Sequence, residues 1–307
     1  MKLGIIARPE MESFDYAKSL GLEFVEFDVN CAPEFMLSEH PEAAKNGTNL
    51  LARADEFNAA VAKTGVAVGA VGRWASKIID TDGGIIEKEF EQVKALIDFA
   101  KKTGAGAYLV SVNYVPELSY YKNITAAIKY LNKVVEYAGE SIKVATVNCM
   151  MGGNYIRTPE QWKLVHSEVP GLGIKYDPSH SFVHGGPNGA YMEEAFEWGD
   201  KFAYVHVKGV VQGSKQDEAK MWKYMDWMRE FPGLEKFVRP ELAEDGKYYD
   251  NPPAGLDAIN WRAFMAILYK HGYDGMLSIE PHSATWRGDL GDRGLKFTID
   301  YMRSLMI

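Results

Sequence analysis

Residues 85–112, IIEKEFEQVKALIDFAKKTGAGAYLVSV, contain one helix pattern followed by one strand pattern. In residues 85–104 the apolar side chains recur at steps of three and four, which predicts an amphipathic helix, and Gly104 marks its end. The run AYLVSV at 107–112 is short, apolar and rich in strand-forming residues, which is typical of a strand buried on both faces of a parallel sheet. The stretch therefore predicts one repeat of an α/β fold.

The same alternation continues along the whole chain. Short apolar runs predict eight strands, at 3–7, 22–29, 66–72, 107–112, 142–148, 172–177, 202–208 and 275–280. Amphipathic segments, such as 124–139, separate them. Eight strands, each followed by a helix, favour a single-domain (β/α)₈ TIM barrel over residues 1–307. The alternative is an open doubly wound sheet, which usually carries a Gly-rich loop after its first strand, where this chain has ARPEMESF.

Residues 210–258 form an insertion between the seventh strand and the helix that begins near Trp261. The insertion contains KMWKYMDWMREF at 220–231, with Met and Trp at helical spacing. We expect an extra helix that packs on the barrel or that contacts another copy of the chain in a homo-oligomer. A lid over the substrate pocket is compatible with both interpretations.

Composition and charge exclude several classes of protein. The formal net charge is −8 and the basic residues are scattered, which argues against a surface for nucleic acid or anionic membrane. No apolar run approaches the roughly 18 residues of a membrane span, and the first apolar run is too short for a signal peptide. The two cysteines, Cys31 and Cys149, form no disulfide framework, and we expect buried free thiols in a cytoplasmic protein.

Three consecutive predicted strands end in side chains that bind metal ions. Asp177 ends the sixth strand, His206 lies near the end of the seventh and Glu280 ends the eighth. Catalytic groups in such barrels project from the carboxyl ends of the strands, and neighbouring strands lie about 5 Å apart, so these side chains can converge. Two carboxylates and an imidazole suit a divalent ion such as Mn²⁺, Mg²⁺, Co²⁺ or Zn²⁺. Taken singly, each residue also suits a helix cap, a core histidine or a strand end.

The motifs DPSH (177–180), VHVKG (205–209) and the stretch from NPPAGLDAINW to SIEPH (251–282) resemble the xylose isomerase-like barrels. These are the sugar (phosphate) isomerase/epimerase proteins, which include inosose dehydratases, ketose 3-epimerases and, more distantly, endonuclease IV. The resemblance covers essentially the whole chain.

The resemblance implies a small-molecule sugar or polyol substrate and a divalent metal ion. Mn²⁺ is the first expectation, with Mg²⁺, Co²⁺ or Zn²⁺ as alternatives, and the implied ligands are Asp177, His206 and Glu280. His180 would contact a substrate oxygen, and Lys208 would lie nearby.

The chain departs from the family pattern at the end of the fifth strand. The family usually has a Glu there, whereas this chain reads VATVNCMMGGN at 144–154 and places Val147 or Asn148 at that position. We expect Asn148 to take part of the role of the missing ligand through its amide oxygen. Because the missing Glu is an acid/base group in the ketose 3-epimerases, epimerisation by two glutamates is not expected. A lyase, a hydrolase-like activity or a one-base isomerase is open. Glu26 or Asp28 could enter the rim, although we expect outward-facing or structural roles for both.

The remaining rim positions are polar and aromatic. Aromatic faces beside hydrogen-bonding groups suit a polyol, and arginines suit a carboxylate or phosphate, with surface salt bridges as the alternative. The candidate substrate-binding residues are Arg8, Arg73, Trp74, His184, Lys208, His282, Trp286 and Arg287.

The sequence thus favours a metal-dependent sugar or polyol isomerase or lyase in which Glu280 or His180 moves a proton. The alternative is a barrel that binds a sugar or a protein partner without turnover, and the missing Glu supports it. A DNA-repair endonuclease would need a basic surface and a richer histidine cluster, and this chain has seven histidines in all.

Overall fold

The computed structural model describes residues 1–29, 45–73, 76–149, 154–185, 190–213, 248–283 and 285–307, with only the backbone of His184 and Tyr248. The strands are β1 (Lys2–Ala7), β2 (Phe24–Asp28), β3 (Ala67–Arg73), β4 (Ala107–Val110), β5 (Lys143–Val147), β6 (Gly173–Tyr176), β7 (Phe202–Val207), β8 (Val211–Gly213), β9 (Tyr248–Asp250) and β10 (Met276–Ile279). The helices are α1 (Glu12–Ser19), α2 (Asn46–Ala52), α3 (Ala54–Thr64), α4 (Glu87–Thr103), α5 (Tyr120–Ala138), α6 (Pro159–Glu168), α7 (Pro178–Gly185), α8 (Ala190–Trp198), α9 (Trp261–Lys270) and α10 (Gly288–Leu305), with a 3₁₀ turn at Gly199–Lys201.

Eight parallel strands close into a barrel in the order β1-β10-β7-β6-β5-β4-β3-β2. The closing pair is β1 with β10, in the register Lys2↔Met276 to Ile5↔Ile279. Because the first and last barrel strands pair, the sheet has no edge, and the predicted TIM barrel is confirmed over the open doubly wound sheet. All eight predicted strands form.

The helix in the opening stretch forms where its periodicity predicts. It is α4, with a row of buried side chains facing the barrel and Gly104 at its end in a left-handed conformation, φ 72°. A glycine adopts this conformation without the steric cost that a side chain adds. Helix α5 begins earlier than predicted because Ser119 caps it, its hydroxyl accepting from the backbone N–H of Lys122 at 3.3 Å.

Alternating strand residues divide between two buried layers. One layer lies between strands and helices and includes Val25, Phe27 and Tyr176. The other fills the barrel interior and includes Phe24, Val147 and Tyr204. Since successive side chains of a strand point to opposite faces, this division decides which residues reach the mouth of the barrel.

The ring of Phe24 fills the floor of the barrel between two glycines. A Cβ at Gly4 would lie 2.4 Å from a ring carbon of Phe24, and one at Gly69 would lie 2.5 Å from the same ring. The Tyr204 ring packs edge-on against Phe24 at 6.1 Å between centroids. The ring is therefore held on several sides at once.

We expect Gly4→Ala to destabilise the protein by about 1–3 kcal/mol, because the added methyl group would overlap the Phe24 ring, which cannot move aside. Denaturant unfolding followed by circular dichroism measures the change. Gly106→Ala is the matched control, because a Cβ there meets only ordinary contacts, the nearest at 3.5 Å. Equal loss in both variants would contradict the tight packing around Phe24.

Only the ends of the predicted insertion fall in the described ranges. Strands β8 and β9 pair antiparallel, with Val211 opposite Asp250, and so join the two ends. The Met- and Trp-rich segment 220–231 lies outside the described residues. No helix in the described part of the chain is long and apolar enough to cross a membrane.

Candidate active site

Three neighbouring barrel strands bring Asp177, His206 and Glu280 together at the carboxyl end of the barrel. One ligand-type atom from each side chain lies within 4.8 Å of the other two. The Nδ1 atom of His206 lies 2.9 Å from Glu280 Oε2 and 3.8 Å from Asp177 Oδ2. Asp177 and His206 are buried and Glu280 is nearly so. The predicted convergence of these side chains is present.

The two oxygens of Asp177 have different surroundings. Oδ1 accepts from the backbone N–H of Ser179 at 2.8 Å and so caps α7. Oδ2 is buried and accepts no hydrogen bond within the described part of the chain; His180 Nε2 lies 3.6 Å from it. Burial works against ionisation, but the charges of His180 and Lys175 outweigh it and lower the Asp177 pKa. A buried carboxylate oxygen without a donor fits a metal cation as its partner.

Glu280 is held by cationic side chains. Its Oε1 accepts from Lys208 Nζ and lies 3.1 Å from His282 Nδ1. Burial alone would raise the Glu280 pKa, but the Lys208 ammonium and His206 hold it well below its ordinary value. Glu280 is therefore an ionised group, able to bind a cation or to accept a proton.

Glu26 faces the barrel interior and lies directly behind His206, so the outward-facing orientation expected for it is wrong. It follows Phe24 on the interior face of β2, is buried, and approaches His206 Nε2 with both oxygens, at 2.8 and 2.9 Å. Burial would lower the His206 pKa, but the Glu26 carboxylate raises it to about 9. A carboxylate on the far nitrogen of a ligand histidine fixes the ring and strengthens it as a ligand.

Lys175 is a buried cation that the sequence analysis overlooked. It precedes Asp177 by two residues and therefore lies on the same interior face of β6. Its charge lowers the pKa of both Glu26 and Asp177, although burial opposes that shift in each. The alternation in LGIKYD could have predicted this position, because Ile174 and Tyr176 lie in the outer layer and the residue between them must face the interior.

Asn148 holds the backbone of Asp177. Its Oδ1 accepts from the Asp177 N–H at 2.9 Å, and its Nδ2 donates to the Asp177 carbonyl at 2.8 Å and to Ser181 Oγ at 3.1 Å. Val147 faces the barrel interior, so Asn148, one residue on, faces away. Asn148 therefore positions the backbone of Asp177, and its orientation does not support the expected role as a metal ligand.

Cys149 faces the mouth of the barrel. It packs on the interior layer and is only partly buried. The expectation of a buried thiol is therefore wrong for Cys149, which is partly exposed. Cys31 lies outside the described residues. Burial would lower the His180 pKa, but the neighbouring Cys149 and Asp177 raise it.

Arg73 points away from the cluster. It shares the outer face of β3 with Val71, is buried, and forms an ion pair with Glu89 of α4. Its Nε donates to Asn46 Oδ1 at 2.9 Å. Both contacts bind the strand end to the surrounding helices, so the expected substrate-binding role of Arg73 is not supported by its position.

The other candidate substrate-binding residues lie at different depths. Arg8 and Arg287 are exposed, and the Arg287 Nε donates to the Ser283 carbonyl at 3.2 Å. His282 is largely exposed and contacts Glu280. Trp286 lines a groove that also includes Glu280. Trp74 and the side chain of His184 lie outside the described residues.

We expect Glu26→Gln to weaken binding of Mn²⁺ by about 10–100-fold, as loss of an outer carboxylate does at other metal sites. The amide keeps the shape of Glu26 but not its charge. Isothermal titration of the chelator-treated protein measures the affinity, and Glu26→Asp should recover part of it. Unchanged affinity in Glu26→Gln would show that Glu26 only fills space.

Comparison with known proteins shows a likeness over nearly the whole chain. The model of the family described as "Xylose isomerase-like TIM barrel" matches residues 14–305. Among the curated proteins no match is found.

Solved structures share the fold at low sequence identity. A 3-keto-D-glucoside 4-epimerase from E. coli has 15% identity and a TM-score of 0.63, with 99% of each chain covered. A D-psicose 3-epimerase from Clostridium cellulolyticum H10, solved with D-tagatose, has 14% identity and a TM-score of 0.66, also with 99% of each chain covered. A protein from Mycobacterium smegmatis, solved in complex with magnesium, has 16% identity and a TM-score of 0.62, with 96% of this chain and 87% of that chain covered.

Proposed function

The chain belongs to the xylose isomerase-like TIM barrel family, and from that premise we propose that it is a divalent-metal-dependent enzyme that moves a proton on a carbon atom of a sugar or polyol. The reaction is an isomerisation, an epimerisation or a lyase elimination. The observation that carries the proposal is the buried group of Asp177, His206 and Glu280, in which Asp177 Oδ2 accepts no hydrogen bond from the described residues.

The donor set fits a hard or borderline divalent ion. Asp177 Oδ2, His206 Nδ1 and Glu280 Oε2 would hold it, and the two carboxylates favour Mn²⁺ or Mg²⁺, with Zn²⁺ and Co²⁺ suited to the imidazole. When bound, such an ion supplies Lewis-acid polarisation of a substrate carbonyl or hydroxyl. We take Mn²⁺ as the first candidate.

The side chains around the cluster suit proton transfer. Glu280 is ionised and accepts the proton at a carboxylate oxygen, while Lys208 holds that carboxylate in place. His180 lies within 3.6 Å of Asp177 and binds a substrate oxygen. Asn148 fixes the backbone of Asp177, and Glu26 fixes the ring of His206.

A sugar or polyol is the proposed substrate class. The protein from Clostridium cellulolyticum H10 is a D-psicose 3-epimerase solved with D-tagatose, and the E. coli protein is a 3-keto-D-glucoside 4-epimerase. His282, whose Nδ1 lies 3.1 Å from Glu280 Oε1, offers a hydrogen-bonding group that suits a polyol hydroxyl. We also propose a cytoplasmic location and a homo-oligomer, for which the Met- and Trp-rich segment 220–231 is the candidate contact.

Metal analysis and deuterium exchange test the function together. Protein purified without chelator should carry about one divalent ion per chain, as three ligands at one site imply. With ketohexoses and 3-keto-glucosides in D₂O, the carbon that exchanges identifies the reaction. Protein that gains no thermal stability from Mn²⁺, Mg²⁺, Co²⁺ or Zn²⁺ would overturn the proposal. Metal binding without exchange would favour the alternative, a barrel that binds a sugar without turnover.

A further inference from the structure

We propose that Ser181 and Glu194 are positioning residues of the candidate metal site, which hold Asp177 in place through Asn148. The inference rests on the proposed function, in which Asp177 is a metal ligand. Both residues lie on helices outside the barrel strands, Ser181 on α7 and Glu194 on α8. They would act on the bound ion through its ligand and not as ligands themselves.

A continuous chain of hydrogen bonds runs from Glu194 to the backbone of Asp177. Ser181 Oγ donates to Glu194 Oε2 at 2.5 Å and accepts from Asn148 Nδ2 at 3.1 Å. The Asn148 amide in turn binds both backbone groups of Asp177, the N–H at 2.9 Å and the carbonyl at 2.8 Å. All four residues are at most 9% exposed. Because water has little access to such groups, the loss of one hydrogen bond leaves its partners unsatisfied.

The chain of hydrogen bonds has one direction, and Glu194 sets it. Glu194 Oε2 is the acceptor, so the single hydroxyl hydrogen of Ser181 points at Glu194 and its lone pairs face Asn148. The part of the Asn148 amide that faces Ser181 must therefore be the NH₂ donor. Its oxygen is left to accept from the Asp177 N–H, which the opposite orientation of the amide could not do. Glu194 thus selects the orientation of Asn148 that Asp177 requires.

Glu194 also contacts the residue on the other side of Asp177. The buried Tyr176, which precedes Asp177 at the end of β6, donates from its hydroxyl to Glu194 Oε2 at 2.9 Å. Ser181 follows Asp177 by four residues in α7. One carboxylate therefore holds the chain before and after Asp177, while Asn148 binds Asp177 itself. The ligand is held from two neighbouring elements, the end of β5 and α8.

Hydrogen exchange of the Asp177 backbone amide tests this chain without a metal ion. NMR of the chelator-treated full chain follows the exchange of single amides. In Ser181→Ala the Asp177 N–H should exchange about 5–10-fold faster than in the wild type, the effect of one lost buried hydrogen bond. Unchanged protection of the Asp177 N–H in this variant would overturn the inference.

Thr146→Val is the matched control for the exchange experiment. Thr146 is buried and lies two residues before Asn148, on the same face of β5, and its hydroxyl donates to the Gly173 carbonyl at 3.5 Å. The variant removes a buried hydroxyl but leaves the hydrogen bonds from Ser181 to Asp177 in place. We expect wild-type exchange of the Asp177 N–H. Equal acceleration in Thr146→Val and Ser181→Ala would overturn the inference, because it would show a general loss of stability.

Titration with Mn²⁺ tests whether the same contacts act on the ligand. Ser181→Ala and Glu194→Leu should each bind Mn²⁺ about tenfold more weakly than the wild type, the lower end of the range for residues behind a metal ligand. Glu194→Gln keeps an acceptor oxygen and should recover part of that affinity. In an Asn148→Ala background, Ser181→Ala should cost nothing further, because the side chain through which it acts is gone. Losses that add in the double variant would overturn the inference.

The two proposals fail in different ways. Wild-type protein that binds no Mn²⁺ would overturn the proposed function and, with it, the role of Ser181 and Glu194 in metal binding. A wild type that binds Mn²⁺, together with a Ser181→Ala variant of equal affinity, would overturn the present inference alone. Ser181→Ala removes a single oxygen atom, so it decides the test even where Glu194→Leu fails to fold. Thermal melting of each variant separates a displaced ligand from an unfolded chain.

Discussion

Replacing Asp177 by Asn is expected to abolish Mn²⁺ binding and, with it, exchange of sugar protons. Asn keeps the oxygen that accepts from the Ser179 N–H, so the cap of α7 survives. What is lost is the negative charge on Oδ2, the buried oxygen without a hydrogen-bond donor. Since loss of an outer-sphere partner alone costs 10–100-fold in affinity, loss of a ligand charge should cost more than about 100-fold. Titration of the chelator-treated protein with Mn²⁺ measures the effect.

A remote variant with the same chemical change serves as the control. Asp200→Asn removes an exposed carboxylate from the 3₁₀ turn, where Asp200 forms an ion pair with Lys201 at 3.2 Å. We expect this variant to bind Mn²⁺ as the wild type does. Retained Mn²⁺ affinity in Asp177→Asn, with a normal melting temperature, would contradict the assignment of Asp177 as a ligand.

Glu280→Gln is expected to reduce deuterium exchange by about 10²–10⁴-fold, even with enough Mn²⁺ to saturate the site. Under the proposed function the loss has two causes, because Glu280 would be both a metal ligand and the group that accepts the proton. A Gln amide has one acceptor oxygen, whereas Glu280 uses two, one on Lys208 and His282 and one on His206. Exchange followed by NMR at saturating Mn²⁺ isolates the proton-transfer loss from the affinity loss.

The exposed Glu193→Gln variant on α8 controls for the charge change, and we expect it to exchange at the wild-type rate. If Glu280→Gln exchanged as fast as Glu193→Gln once saturated with Mn²⁺, the base would have to be another group. The candidate is then His180, whose Nε2 lies 3.6 Å from Asp177 Oδ2.

The barrel was predictable because its local signals agree with one another. Strands buried on both faces are short and apolar, and helices such as α4 carry both a periodic apolar face and a glycine at the end. Asp177, His206 and Glu280 were predictable for a related reason, since a residue at a strand end has its position set by the fold rather than by its own neighbours.

The face on which a residue within or beside a strand lies was harder to predict. Side chains alternate between the two faces, so the assignment needs one residue that is known to lie in the interior. Phe24 inside the barrel places Glu26 inside, and Val71 in the outer layer places Arg73 outside. Apolar runs give no such reference, since Val and Ile fit either face. The same one-residue uncertainty led the sequence analysis to Asn148, whereas Cys149 is the residue that faces the mouth.

The buried Lys175 has a consequence for the stability of the protein when no metal ion is bound. The three carboxylates of Glu26, Asp177 and Glu280 are balanced by the ammonium groups of Lys175 and Lys208 and by the imidazolium of His206. Without these cations, the buried carboxylates would repel one another when no metal ion is bound. The chain should consequently stay folded after its ion is removed and should accept another, so that its metal content follows the ions its surroundings supply.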